Sequence, residues 1–326
     1  MTNKYDNVYV LNTSTVAGVK ESKGPLKQYF TSCCDNEYMG EKTYEQAEIF
    51  LMTKSINLVT NKIKEKIDLF IAGDLLNQLM SSNINAKKFK FPYLGVYNAC
   101  ATSVESLIVA SNFIDSKKCN NVLCSTSSHV CTAEKQFRYP NEYGALKPMY
   151  STTTSTGGTS IILTNKKTKI KVAASTIGKV SDLGITDAFN MGAVMAHGAG
   201  NTIYTHLKNL GVKPSYYDII LTGDLGKYGK KILIDYLKKE YKLDISKNYN
   251  DCGVMLYNLE KQNVNAGGSG PACLPLVAYS YVIDKLKKKE FKRVLLCATG
   301  SLHSPTMINQ KFSIPTIAHA ISLEVL

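Results

Sequence analysis

The chain has 326 residues, 44% of them hydrophobic and 20% charged, an ordinary globular composition with room for one large or two medium cores. No run of about 18 apolar residues exists; the longest candidate, "PACLPLVAYSYVI" (271–283), is too short and too rich in small residues to span a bilayer. A formal net charge of +13 favours anionic company: an acidic small molecule, an anionic membrane face or, last, nucleic acid, for which no Arg-rich or aromatic-interleaved motif appears.

In chain order, "MTNKYDNVYV" lacks the apolar core of a signal peptide, which predicts a chain on the cytoplasmic side. "YEQAEIFLMTKSINLVTNKI" (44–63) carries apolar residues at helical spacing, and "DLFIAGDLL" (68–76) reads as a buried strand ending in a tight Gly-Asp-Leu turn. A small-residue turn then leads into Cys100 and an apolar helix, "NACATSVESLIVASNFID" (98–115). The strand "NNVLCSTSSH" (120–129) follows, then a Pro- and Gly-punctuated loop, "TAEKQFRYPNEYGALKP" (132–148).

Past "TNKKTKIK" (164–171) the series returns. "DIILTGDLG" (218–226) repeats the first strand, "PACLPLVAYSYVID" (271–284) repeats the helix with one turn fewer, and "KRVLLCATGSLH" (292–303) repeats the second strand. Between them lie the helical "YGKKILIDYLKKEY" (228–241) and the glycine-rich "NAGGSGPAC" (265–273). Cys100 to Cys124 and Cys273 to Cys297 are both 24 residues apart. Two copies of a β-α-β-type unit, 1–165 and 166–326, predict an α/β fold with ligand sites at the carboxyl ends of the strands. The nine cysteines show no C-x-x-C pair and the five histidines no ligand spacing, so free thiols and no bound metal or cofactor are expected.

A duplicated α/β unit with a cysteine at the start of its first buried helix resembles the thiolase superfamily, whose fold has five layers. Several stretches resemble one family more particularly: "FIAGDLLNQ", "NACATSVES", "STSSHVCTAEKQFRYPNEYGALKP", "SDLGITDAFNMGAVMA", "NDCGVMLY", "AGGSGPAC" and "SPTMINQKFSIPTIAHAISLE". These look like the stage V sporulation protein AD family of spore-forming Firmicutes. That resemblance implies a protein that binds dipicolinic acid, with or without calcium, and helps deliver it into the developing spore. It further implies other stage V sporulation membrane proteins as partners, a homodimer, and a peripheral place on the cytoplasmic side of the forespore or spore inner membrane.

Cys100 at a helix N-terminus is either a thiol activated by free backbone N–H groups or a small residue packed under the helix. Acyl transfer needs partners as well. In the synthases that the chain resembles, a histidine and an asparagine fall at the places of Gly223 and Gly268, so condensation is disfavoured. Cys297 stands near the second cysteine of biosynthetic thiolases, but their histidine would fall near Ser269 or Gly270. With both side chains gone, the cavity is expected to open beside Cys100, Gly268 and Ser269, with two helix starts facing an anion. The 132–148 loop offers Arg138 for a carboxylate, Phe137 and Tyr139 as ring walls, and Glu134 to orient the arginine or meet a calcium; a dimer contact would use the same residues. Asp74 and Asp224 form a symmetric pair suited to closing turns; Asp224 alone is kept as a site candidate. His197 caps or packs a helix, or else enters the cavity.

Overall fold

The computed structural model describes residues 1–137 and 147–326. The first half runs β1 (Thr2–Lys4), β2 (Tyr9–Ala17), β3 (Ser32–Cys33), α1 (Tyr44–Thr60), β4 (Leu69–Gly73), α2 (Met80–Phe89), β5 (Tyr93–Gly95), α3 (Thr102–Asp115), β6 (Asn121–Ser128), α4 (Val130–Phe137), β7 (Thr153–Thr154) and β8 (Gly157–Thr164). The second runs β9 (Ile170–Ile177), α5 (Met191–Leu210), β10 (Ile219–Thr222), α6 (Gly226–Tyr241), β11 (Tyr249–Asp251), α7 (Cys252–Met255), β12 (Gly268–Ser269) and α8 (Cys273–Val277). A π turn (Ala278–Val282), α9 (Ile283–Lys287), β13 (Arg293–Ser301), α10 (Pro305–Asn309) and β14 (Thr316–Val325) complete it.

Strands of the first half lie in the order β5-β4-β6-β8-β2 and those of the second in the order β11-β10-β13-β14-β9. The two sets meet at one Tyr9–Lys171 pairing. In each set the β-α-β strands are parallel, β4 with β5 and β6, β10 with β11 and β13, while β8 and β14 run back antiparallel. Helices fill the spaces between. α1 covers β8 and β2 from outside, α3 packs on β4 and β6 on one side and β13 and β14 on the other, and α5 covers β13 and β14. Three cores follow. Met52, Ile56, Phe70 and Leu123 lie in the outer first-half layer, Val104, Leu107, Leu276 and Val294 in the centre, and Met195, Ile203, Ile220 and Leu233 in the outer second-half layer. This is the five-layered α/β arrangement expected of a thiolase-like fold.

Local chemistry explains the elements. Thr43 caps α1 by accepting from the Gln46 N–H, and Gln46 returns a bond to the Lys42 N–H, a reciprocal start signal. The β6 strand is wholly buried although it ends in hydroxyls. They pair across to β8, Ser125 with Ser160 at 2.8 Å and Thr126 with Thr159 at 2.9 Å, so no buried polar atom there is wasted. The repeated helix is not shorter than its counterpart. From Cys273 it runs to Lys287 through the π turn, against Thr102–Asp115 for α3, because "KLK" after the apolar stretch continues the helix. Among the described residues no helix is long and apolar enough to cross a membrane.

Candidate functional site

The cavity is built on the turn that precedes α3. Thr102 ties it by accepting from the Asn98 N–H (2.9 Å) and donating to the Ala99 carbonyl (2.7 Å). Ala99 sits at φ +50°, a left-handed conformation that costs a non-glycine residue on the order of 1 kcal/mol and aims the next residue, Cys100. From below, β13 presses its backbone against this turn. A Cβ at Gly300 would lie 2.3 Å from the Asn98 carbonyl oxygen, so glycine is the residue that permits the approach. The Asn98 amide also reaches His319 Nε2 (3.3 Å), while the Gly178 N–H donates to Nδ1 (3.2 Å). Burial depresses His319 to about 4, so this support is a neutral imidazole.

Around Cys100 lies a partly open cavity. The turn supplies Tyr97 and Ala99, α4 supplies Ala133 and Phe137 one turn apart, and the start of α5 supplies Met191. The β7–β12 ribbon pairs Thr154 with Ser269 and brings both to the wall, and the end of β13 delivers Ser301 and His303. Leu75, Tyr97, Phe137 and His303 are shared with a wider recess, walled further by Asn77, Gln78 and Pro305. The surroundings are apolar with a few convergent hydroxyls and one imidazole, the composition of a small-ligand site.

Of the expected residues, the structure brings together Cys100, Phe137 and Ser269. Arg138 and Tyr139 lie outside the described residues. Glu134 is buried on α4 away from the cavity wall, ion-paired with Lys147. Asp224 is fully buried and accepts from Thr299 (3.2 Å); burial first, and the Asp251 carboxylate next, hold its carboxyl far above the usual range. The symmetric-pair expectation fails in a particular way. Asp74 does close its turn, accepting from Leu76 N–H (3.0 Å) and from the Ser82 N–H (2.8 Å) and hydroxyl (2.6 Å). In the second half Asp251, from β11, does this for Leu225 and Gly226 N–H (both 3.0 Å).

The glycines do not open the cavity as expected. A Cβ on Gly268 would meet Ser155 Oγ at 2.6 Å and Tyr257 Cε2 at 2.7 Å, and one on Gly223 would meet Leu274 Cβ at 3.1 Å. Neighbouring side chains have taken the space, and neither glycine lines the cavity. Cys297 is not at a strand end either. β13 continues four residues to Ser301, leaving Cys297 wholly buried with its thiol pushed up by desolvation. His197 stays outside, against Ser181 Oγ (3.2 Å) and the Tyr236 ring. The histidine missed was His303, which holds Ser301 Oγ at 2.9 Å and packs on the Phe137 ring at 5.5 Å between centroids. Its signal was in the repeat, where "CSTSSH" and "CATGSLH" both put a histidine just past a strand; its counterpart His129 is buried against the Glu37 carbonyl (2.9 Å).

The cavity therefore offers a thiol, hydroxyls and an imidazole, without the side chains at 223 and 268 that condensing chemistry would use. Comparisons with known proteins find likeness on two levels. The family described as stage V sporulation protein AD (SpoVAD) matches residues 2–324. A protein of that description from Bacillus subtilis (strain 168) is 43% identical over 320 residues, covering 97% of this chain and 94% of the relative. Solved structures share the fold at low identity. The 3-oxoacyl-[acyl-carrier-protein] synthase III from Aquifex aeolicus VF5 is 13% identical with a TM-score of 0.58, over 97% of this chain and 99% of that one. The human mitochondrial 3-ketoacyl-CoA thiolase in complex with CoA is 12% identical with a TM-score of 0.59, over 98% of both chains.

Proposed function

The chain belongs to the stage V sporulation protein AD family, and on that footing we propose that it is a non-catalytic binding protein whose Cys100 cavity takes dipicolinic acid for uptake into the developing spore. The observation that carries this reading is the cavity itself. Its walls suit a flat dicarboxylate: Phe137 and Tyr97 give ring faces, and Ser269 and Thr154 give hydroxyls for a carboxylate. Ser269 accepts from Thr152 (3.0 Å), which leaves its own O–H to donate. Arg138 is the proposed partner of the second carboxylate. Calcium, where it takes part, is proposed to enter bound to the ligand.

Delivery would run with other stage V sporulation membrane proteins at the inner membrane of the forespore. A homodimer is part of the reading. β5 is the outermost strand of its half, and Leu94, Tyr97, Met80 and Ile84 beside it are exposed, an apolar edge that a second copy would cover.

A second reading, a cysteine-dependent acyltransferase, is favoured by one observation: His303 shares the cavity with Cys100. Titration calorimetry with dipicolinate, with and without calcium, decides between these and an inert scaffold. Saturable binding with no mass shift on Cys100 after acyl-CoA is the expected result. An acyl adduct would favour the enzyme, and no binding to any dicarboxylate the scaffold. Arg138→Gln should weaken binding about 10- to 150-fold at unchanged stability, the worth of one charge-assisted hydrogen bond. Dissociation of a dimer at unchanged affinity would instead make Arg138 an interface residue.

A further inference from the structure

The positive charge is not spread over the molecule. Segments 62–68, 115–121, 165–171 and 284–293 hold fifteen Lys or Arg against five Asp or Glu, a net +10 of the chain's +13. Adding Lys4, Asp6, Lys213, Asp218 and Glu324 from the same rim leaves +9. These segments enter β4, β6, β9 and β13, so the register puts them at one end of the sheets. Asn120 binds both Asp68 and Asn165. Lys166 reaches Glu65, and the Leu326 N–H binds the Lys169 carbonyl beside a Val325 N–H bond to Lys292. Lys169 and Lys287 wall one groove there, with Leu11, Asn12 and Thr13 between them.

The acids of this end are occupied. Asp68 accepts from Asn120 and Asn121 N–H (2.8 and 3.1 Å), Asp115 from Asp6 and Asn7 N–H (2.9 and 3.3 Å), and Asp218 from Lys292 and Arg293 N–H (2.6 and 2.8 Å). These three hold loops in place, Glu65, Asp284 and Glu290 pair with Lys166, Lys288 and Lys285, and twelve lysines, from Lys62 to Lys292, stand exposed. The cavity lies at the opposite, carboxyl ends of the same strands, one β6 length away, roughly 25 Å.

We propose that this lysine-covered end of the sheets is a docking face for an anionic lipid bilayer, which turns the mouth of the Cys100 cavity away from the membrane surface. The chemistry favours lipid over other anions. The charges are spread over four separate segments, with only Lys169 and Lys287 facing one groove, and all but one are lysines. Lysines act as point charges suited to a plane of headgroups, whereas bidentate phosphate recognition calls for arginine. The inference does not rest on what the cavity holds.

The test is flotation of the whole protein with vesicles of phosphatidylcholine alone or mixed with phosphatidylglycerol. Binding is expected only to the anionic vesicles at low salt, and to be lost at about 0.5 M salt, where screening is strong. Each lysine near such a surface is worth about fivefold in partitioning. The variant Lys167→Gln/Lys169→Gln/Lys287→Gln/Lys289→Gln should therefore bind two to three orders of magnitude more weakly. A control with the same charge loss at the carboxyl ends of the strands, Lys179→Gln/Lys227→Gln/Lys231→Gln/Lys311→Gln, should keep most of its binding. Equal loss in both variants, undiminished binding by the first, or tighter binding to duplex DNA than to anionic vesicles at equal salt would each overturn the proposal.

Discussion

Replacing Gly300 by alanine tests how the cavity is held. The added Cβ would stand 2.3 Å from the Asn98 carbonyl oxygen, and 3.2 Å from the Ala101 nitrogen. An ordinary carbon–oxygen contact needs about 3.3 Å, so something must move by about 1 Å. The strand cannot retreat. Gly300 is paired with Ile317 on β14, and its carbonyl accepts from Thr316 Oγ1 at 3.0 Å. The turn must give instead, and it carries the left-handed Ala99 and Cys100. Overpacking of this kind costs about 1–3 kcal/mol. For a chain of 326 residues that lowers Tm by about 1.5 to 4 °C. Dipicolinate binding should fall at least tenfold, because the displaced turn is a cavity wall. Gly223→Ala is the matched control. The nearest atoms to its Cβ belong to Leu274, at 3.1 Å or beyond, and it does not line the cavity, so binding should be unchanged and Tm nearly so. Differential scanning and titration calorimetry read both. A Gly300→Ala protein with wild-type Tm and affinity would refute the claim that β13 sets the position of the Cys100 turn.

Gly268→Asn, which restores an amide at the synthase-like place, should destabilise by about 1–3 kcal/mol in a melt without yielding condensation, since Ser155 and Tyr257 already fill that space. Phe137→Ala should weaken dipicolinate binding about 2- to 12-fold in calorimetry, the worth of an aromatic face, with less effect on stability because the side chain is only half-buried. Cys100→Ser should keep affinity within about threefold, the hydroxyl retaining the wall; loss of all binding at unchanged Tm would make the thiol itself necessary. His206, buried between Thr176 Oγ1 and Tyr217 Oη (both 2.8 Å), is depressed by burial from 6.5 to about 4. The unfolded chain therefore takes up the proton first, and the contribution present above pH 6.5 is lost as pH falls towards 4. In denaturant titrations the stability advantage of wild type over His206→Gln should shrink by about 1.4 kcal/mol per pH unit across that window.

Much of the fold was legible because the duplication could be read twice. "DLFIAGDLL" and "DIILTGDLG" became β4 and β10, equivalent strands of equivalent sheets, and Cys100 and Cys273 both came to stand at the starts of central helices. The site was less legible, for physical reasons tied to particular residues. A glycine in sequence says that a side chain is absent, but not who occupies the space; at Gly268 it is Tyr257 and Ser155, from distant segments. Strand length misled at Cys297, since "ATGS" is small and polar yet continues β13, its hydroxyls satisfied inside the fold, as when Thr299 donates to Asp224. His303 reaches the cavity only because of that extension. Asp251 was invisible as the second turn-closing acid because it acts across 25 residues of chain on the Gly226 N–H.

The central claim is that the cavity beside Cys100 binds a dicarboxylate without turning it over. A crystal structure of the protein soaked with dipicolinate tests it most directly. The account predicts density for the intact ligand between Phe137, Ser269 and His303, with no bond to the Cys100 sulfur. Ligand density elsewhere on the molecule, or a covalent adduct on Cys100, would contradict it.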